Sequence, residues 1–289
     1  MKKKFLAVLA CMLTVPMVMG GCSGDSANSS APASSDEASS SAEASSSSGE
    51  TVKITAWLNA PLENEMAYYE AFSEKYPQYE IEASDDLYDA WVGTNTTNEG
   101  ITAGNWLAEY LGDADANILV IEGSVGASAT LGRTDGFNQV AGEHDNWTIL
   151  DSQSGDFTQA GGQEVMESFI KSYEGQFNVV ICQNDNEAYG AMDAMDAAGI
   201  TYGVDGDVTL ISFDATHDGL QYTLDGKINC DVECNPIQAE TVKGVIEKMQ
   251  AGEDYEKTTL VEDQAFVAPG IESEYATTMT QEVLDGRAY

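Results

Sequence analysis

From residue 116 the chain repeats one physical unit: a short β-branched apolar run, a polar or glycine-containing turn, then an amphipathic segment. The runs are NILVIEGS (117–124), WTILDSQ (147–153), NVVICQND (178–185), VTLISFDA (208–215) and KINCDVEC (227–234). Between and after them stand helix-length segments: TLGRTDGFNQVAGEHD, TQAGGQEVMESFIKSYEG, NEAYGAMDAMDAAG, the shorter HDGLQYTLDG, and QAETVKGVIEKMQAG. Strands that are apolar throughout are covered on both faces, and parallel strands need a crossover helix to connect them. The pattern predicts an α/β fold with a parallel sheet flanked by helices.

In open α/β sheets ligands bind beyond the carboxyl ends of the strands. Here those ends are Glu122-Gly123-Ser124, Ser152-Gln153, Gln183-Asn184-Asp185, Phe213-Asp214 and Glu233-Cys234-Asn235, and all are polar. Wet loops alone can make a strand end polar, but five such ends on one edge favour a ligand site. The cluster from Gln183 to Glu187 reads both as a capped helix start and as a set of hydrogen-bonding groups for a polyhydroxylated ligand. Asn184 is the expected ligand contact, with Asp185 or Asn186 as the helix cap.

Upstream the pattern is poorer. VKITAWL (52–58), YEIEAS (79–84) and DAWVGTN (89–95) are expected strands, ENEMAYYEAFSEKYP (63–77) a helix ended by Pro77, and NEGITAGNWLAEYLG (98–112) a helix with an acidic start. A complete doubly wound lobe of five strand and helix units needs about 130 residues. Residues 51–95 cannot supply it.

The first residues, MKKKFLAVLACMLTVPMVMGGC, combine a basic start with an apolar run and small residues, which is a secretion signal. Met19-Gly20-Gly21-Cys22 resembles the bacterial lipobox, which implies a signal peptide over 1–21 and a lipid on Cys22. Residues 22–50, rich in Ser and Ala, have nothing to bury and read as a disordered tether. The expected location is the extracytoplasmic face of the cell membrane, held there by that lipid. A formal charge of -37 argues against nucleic acid and against anionic lipid as direct partners.

Three further cysteines remain, Cys182, Cys230 and Cys234. Four positions along a strand separate the last two by roughly 13 Å, too far for a disulfide, so buried free thiols are expected. No spacing indicates zinc, His144 and His217 stand alone, and no metal or cofactor is expected. The chain of 289 residues, 43% hydrophobic, is long enough for a sizeable core in one or two globular units.

The pieces SVGASATLGRTDGF, SQSGDFTQAGGQEVMESFIKS, QNDNEAYGAMDAMDAAG, ISFDATHDGLQYTLDGKI and VECNP occur in a specific order and spacing. The run from about 84 to 269 that contains them resembles the periplasmic sugar-binding proteins of the ribose and galactose type, the substrate-capturing subunits of ABC importers. SGDFT with its following helix, and DDLYDAWVG upstream, look closest to the galactofuranose-binding branch. The resemblance implies two lobes that close on a monosaccharide like a hinge, a monomer without catalysis, and membrane permease subunits as partners. By position it implies Arg133 as guanidinium donor to sugar hydroxyls, Asn184 as donor and acceptor, Asp214 as acceptor from two hydroxyls, and Phe157 as the ring stacked on the sugar. Glu233 and Cys234 take the place of a further polar contact, although a cysteine departs from the pattern, and Ser124 and Thr94 are the remaining candidates.

Residues 52–83 depart from this pattern and resemble the opening of the maltose-type solute-binding proteins. The expected division is a truncated N-terminal lobe from 51–95 plus 236–262, and a C-terminal sugar-binding lobe from 96–235 plus 263–289. A natural deletion or fusion, a joining error in the gene model, or a real variant with a minimal first lobe would each account for the incomplete first lobe. The helix at 237–252 would then lose its usual cover and expose Val242, Val245, Ile246 and Met249. The leading expectation is a lipid-anchored binding subunit that captures a hexose resembling galactose or galactofuranose. The alternatives are a sugar sensor acting on a receptor and a truncated chain that no longer binds. Asp185 and Asp214 as a glycosidase pair form a weaker second class.

Overall fold

The computed structural model describes residues 52–55, 62–82 and 88–289. The expected signal, the lipidation site Cys22 and the tether lie outside the described residues. In chain order the elements are β1 (Val52–Thr55), α1 (Leu62–Lys75), β2 (Tyr79–Glu82), β3 (Trp91–Gly93), α2 (Thr96–Leu111), β4 (Ala116–Glu122), α3 (Ser128–Ala141) and β5 (Trp147–Ser154). There follow α4 (Gln159–Tyr173), β6 (Val179–Cys182), α5 (Asp185–Ala198), β7 (Thr209–Asp214), α6 (His217–Leu224), β8 (Cys230–Glu233), α7 (Ala239–Ala251), β9 (Thr258–Leu260), β10 (Ala265–Val267), β11 (Thr277–Thr278) and α8 (Gln281–Asp285).

Seven strands form one sheet in the order β11-β10-β8-β7-β6-β4-β5. From β5 to β8 all neighbours are parallel, β10 runs antiparallel to β8, and β11 parallel to β10. The chain moves from β4 to β5 on one side and then turns back to β6 on the other. Such an order creates a crevice beyond the carboxyl ends of β4 and β6, the topological switch point.

Successive residues of a strand face opposite sides of the sheet, and β4 fills both. Ile118 and Val120 meet Ala103, Trp106 and Leu107 of α2 and Phe137 of α3, whereas Leu119 and Ile121 meet Met166 and Phe169 of α4 and Ala191 and Met195 of α5. Cover on both faces is why these runs carry no polar alternation. The helix pairs approach closely through glycine. A Cβ on Gly100 would stand 2.3 Å from the Arg133 carbonyl oxygen, and one on Gly136 2.0 Å from that of Thr97. This contact sets α2 directly against α3.

The small sheets are separate: β1 pairs with β2 across α1, and β3 pairs with β9, all parallel. Helix α7 buries no residue. Val242 and Ile246 are 37% and 46% exposed, while Val245 and Met249 are half-buried. Strands β9 to β11 and helix α8 have no counterpart in the sequence reading, because pieces of two to five residues are too short to show a period.

Candidate functional site

Helix α3 carries Arg133 to the switch point, where the side chain is 2% exposed and bound on three sides. Its Nε donates to Glu99 Oε2 at 2.7 Å, Nη2 to Asp214 Oδ1 at 2.8 Å, and Nη1 to the Gln183 carbonyl oxygen. Its guanidinium carbon lies 4.9 Å from the centre of the Phe213 ring. Burial works against the charge of Arg133, but Glu99 and Asp214 outweigh it and raise its pKa. Glu99, in the first turn of α2, is raised by its own burial, and its Oε1 has no hydrogen-bond partner. Cys234 and Thr94 complete this group, with Sγ and Oγ1 3.5 Å apart. Burial first, and Glu99 second, push the Cys234 thiol up to about 12.

Gln183, the first residue past β6, ties the floor together. Its Oε1 accepts from the Gly123 amide at 3.0 Å, and its Nε2 donates to Thr134 Oγ1 at 2.7 Å. Asn184 follows as the N-cap of α5. Its Oδ1 accepts from the Glu187 amide at 2.9 Å, and its Nδ2 donates to the Phe157 carbonyl at 3.2 Å. The cap is therefore Asn184, correcting the expectation of Asp185 or Asn186. Asp185 is unavailable as a cap because its carboxylate accepts from Ser212 Oγ at 2.6 Å and from the Thr216 amide and hydroxyl at 2.9 and 2.6 Å.

Phe157 is half-buried, and its ring lies against Gly123, where a Cβ would come within 2.0 Å of it. The Phe157 amide donates to Glu187 Oε1 at 2.9 Å. Burial pushes Glu187 up to about 7, against the opposing pull of the Phe157 and Asn184 amides and Arg133, and its Oε2 has no partner. Asp231, wholly buried on β8, accepts from the Ala215 amide at 3.1 Å. Its pKa is raised well above the usual carboxylate range by burial and by the neighbouring Asp185, which burial raises in turn.

Arg133, Asp214, Cys234 and Thr94 thus meet in one group, and Asn184 and Phe157 in a second beside it. Ser124 donates from Oγ to Asp156 in the Phe157 loop at 2.5 Å. Glu233 is a correction to the expected contacts. It is 1% exposed, its Oε1 is taken by Arg287 and Tyr289, and its Oε2 accepts from the Gln264 amide at 2.9 Å. Sequence reasoning missed Glu99 and Asp231, and named Glu187 only as one member of the polar cluster after β6. Asp231 left a signal, a carboxylate inside a run destined for cover on both faces. Among the described residues no group of His, Cys, Asp and Glu could hold a metal ion.

Comparison with known proteins matches this arrangement to one family. The pattern described as periplasmic binding protein domain matches residues 76–242. The galactofuranose-binding protein YtfQ of Escherichia coli is 33% identical over 206 residues, covering 68% of this chain and 64% of that protein. The ribose import binding protein RbsB of the same organism is 33% identical over 167 residues, 55% of this chain and 54% of that protein. A crystal structure from Mycobacterium smegmatis in complex with β-D-fucofuranose aligns with a TM-score of 0.59 at 32% identity, covering 75% of this chain and 72% of that one. The chain spans between about half and just under two thirds of the length of these two curated relatives. Both curated relatives are named as binding proteins. With its parallel sheet, flanking helices and polar switch-point crevice, the chain belongs to the periplasmic binding protein domain family.

Proposed function

We propose that this protein is the sugar-capturing subunit of a carbohydrate importer, and that it takes a furanose-form sugar, galactofuranose or a close relative, at the carboxyl edge of its large sheet. The observation that carries this reading is the Arg133–Asp214 pair at the switch point, whose aspartate remains 32% exposed on the crevice side of a fully buried arginine. The guanidinium, held through three of its five N–H donors, orients the Asp214 carboxylate toward the crevice. The free Asp214 oxygen accepts from an adjacent hydroxyl, and Asn184 adds a donor and an acceptor at the neighbouring strand end. The Phe157 ring offers an apolar surface to one face of the sugar. The names of the relatives support a sugar ligand, two of them a furanose.

In this reading residues 96–235 and 263–289 form the binding lobe, and 51–95 with 236–262 the shortened opposing lobe. A lipid on Cys22 holds the protein at the outer face of the membrane, where the loaded form meets a permease. Calorimetric titration of the purified protein with methyl galactofuranoside, galactose, ribose and glucose tests it, alongside Asp214→Ala. Binding of one furanose, lost in the variant, is expected. A folded protein that takes none of them, or equal binding by the variant, overturns it. Cys22→Ser should move the protein from the membrane to the soluble fraction, and retention on the membrane would sink the anchor.

A further inference from the structure

Among the described residues four non-glycine positions have positive φ, and they form two adjacent pairs: Asp156 and Phe157, both at 57°, and Asp214 and Ala215 at 100° and 49°. Side chains with a Cβ rarely adopt this region, so each pair needs something outside the loop to hold it. Both pairs lie in loops that carry ligand contacts of the proposed site. Neither is held by its own loop alone.

The first turn of α5 reaches both. Glu187 Oε1 takes the Phe157 amide, and Asn184 Nδ2 the Phe157 carbonyl, which fixes the left-handed pair at its second residue. Asp185 accepts from the amide and hydroxyl of Thr216, the residue just after the other pair, and from the Oγ of Ser212, two residues before it. Asp231 adds the Ala215 amide from the neighbouring strand. Room is made for this: a Cβ on Gly219 would come within 2.3 Å of Asp185 Oδ2.

A purely stabilising role explains these acids poorly. Burying a carboxylate is costly even when it is partly hydrogen-bonded, and apolar residues of similar volume often serve a fold as well or better. Glu187 Oε2 is buried with no hydrogen-bond partner, and Asp231 is buried against the carboxyl of Asp185. What they accomplish is local: each supplies an acceptor to an amide in a strained turn.

We propose that Asp185 and Glu187 are positioning residues for ligand recognition. One helical turn fixes both the ring of Phe157 and the carboxylate of Asp214, and with them the spacing between the apolar and the hydroxyl-reading faces of the site. This rests on the binding reading above, so the test separates the two.

Hydrogen exchange is followed in the full-length protein over residues 154–160 and 212–218, with sugar titration in parallel, for wild type, Glu187→Leu, Glu187→Gln and Asp185→Asn. Glu187→Leu removes the acceptor and keeps the bulk, whereas Glu187→Gln keeps an acceptor for the Phe157 amide. Asp185→Asn keeps one acceptor where Ser212 and Thr216 supply three donors. Glu187→Leu should speed exchange at 155–158 by about tenfold or more and weaken sugar binding by a similar factor, with β4 and β6 unchanged. Glu187→Gln should restore both, and Asp185→Asn should loosen 214–218 alone. Unchanged exchange in Glu187→Leu, loosening spread through β4 and β6, or loosened loops with undiminished affinity would each overturn the proposal. A wild type that takes no sugar overturns the binding reading and recognition with it, while exchange still decides whether the two turns are held.

Discussion

The carboxylate of Asp214 and the guanidinium of Arg133 are joined at 2.8 Å with unequal burial, the arginine closed off at 2% exposure and the aspartate open at 32%. One partner is therefore framework and the other is surface. Arg133 also pairs with Glu99, which is buried at 1% exposure.

Arg133→Ala should accordingly damage the fold and not only binding. Removing one partner of a buried ion pair leaves an uncompensated charge and costs about 3–5 kcal/mol. Asp214→Asn keeps an oxygen acceptor at a partly solvated position and should cost about 1 kcal/mol or less. Urea unfolding of the two variants measures the difference, and equal costs would contradict the assigned asymmetry.

The buried acids give stability a pH dependence of definite sign. Burial raises Glu187 and Asp263 to about 7, so each holds a proton in the folded protein at pH values where the unfolded chain has released it. Arg133 and the amides of Phe157 and Asn184 pull Glu187 down, and Asp214 pushes it up, but burial leads. The folded state then binds more protons between about pH 4.5 and 7, and stability falls as pH rises through that window. Unfolding free energies at pH 5 and 7.5 should show this decline, and Glu187→Gln should flatten it by on the order of 1–3 kcal/mol. A rise in stability across the same window would contradict it.

Gly123 leaves room for the Phe157 ring. An added methyl at 2.0 Å must displace the ring, which is the movable partner at the end of a half-exposed side chain. Gly123→Ala is expected to weaken sugar affinity about tenfold while shifting unfolding by less than about 1 kcal/mol. An unchanged affinity would remove Phe157 from the contacts.

Helix α7 should be energetically quiet. Val242→Ser and Ile246→Ser remove side chains that are already exposed, and each should change stability by no more than about 0.5 kcal/mol. Phe169→Ala, deep between α4 and the sheet, should cost about 3–5 kcal/mol. Parallel denaturation curves check the contrast.

The strands and helices from 116 to 233 were legible because their spacing records burial. Apolar runs at β4, β6 and β7 and the helical period of α4 say which sides are covered, which suffices to place the strand ends. It says nothing about which polar atoms meet. Asn184 and Asp185 are both good helix caps, and the choice between them was made by Thr216 and Ser212, some thirty residues away. Glu99 read as an ordinary acid in the first turn of a helix, and only its meeting with Arg133 across glycine contacts makes it part of the site. Glu233 sits in a polar strand end that faces Arg287 and Tyr289.

Strands β8 and β10 lie side by side and antiparallel, Cys230 against Val267 and Val232 against Ala265. Everything between them, including α7 and β9, is in topological terms the oversized loop of a β-hairpin. Doubling a loop costs only about 0.6 kcal/mol in closure entropy, so the length of what hangs there weighs little on the sheet beneath. The Asp263 carboxylate clasps the base of this loop by accepting from the Asn235 amide at 2.8 Å. Lengthening or shortening what lies beyond that clasp therefore costs the large sheet little in closure entropy.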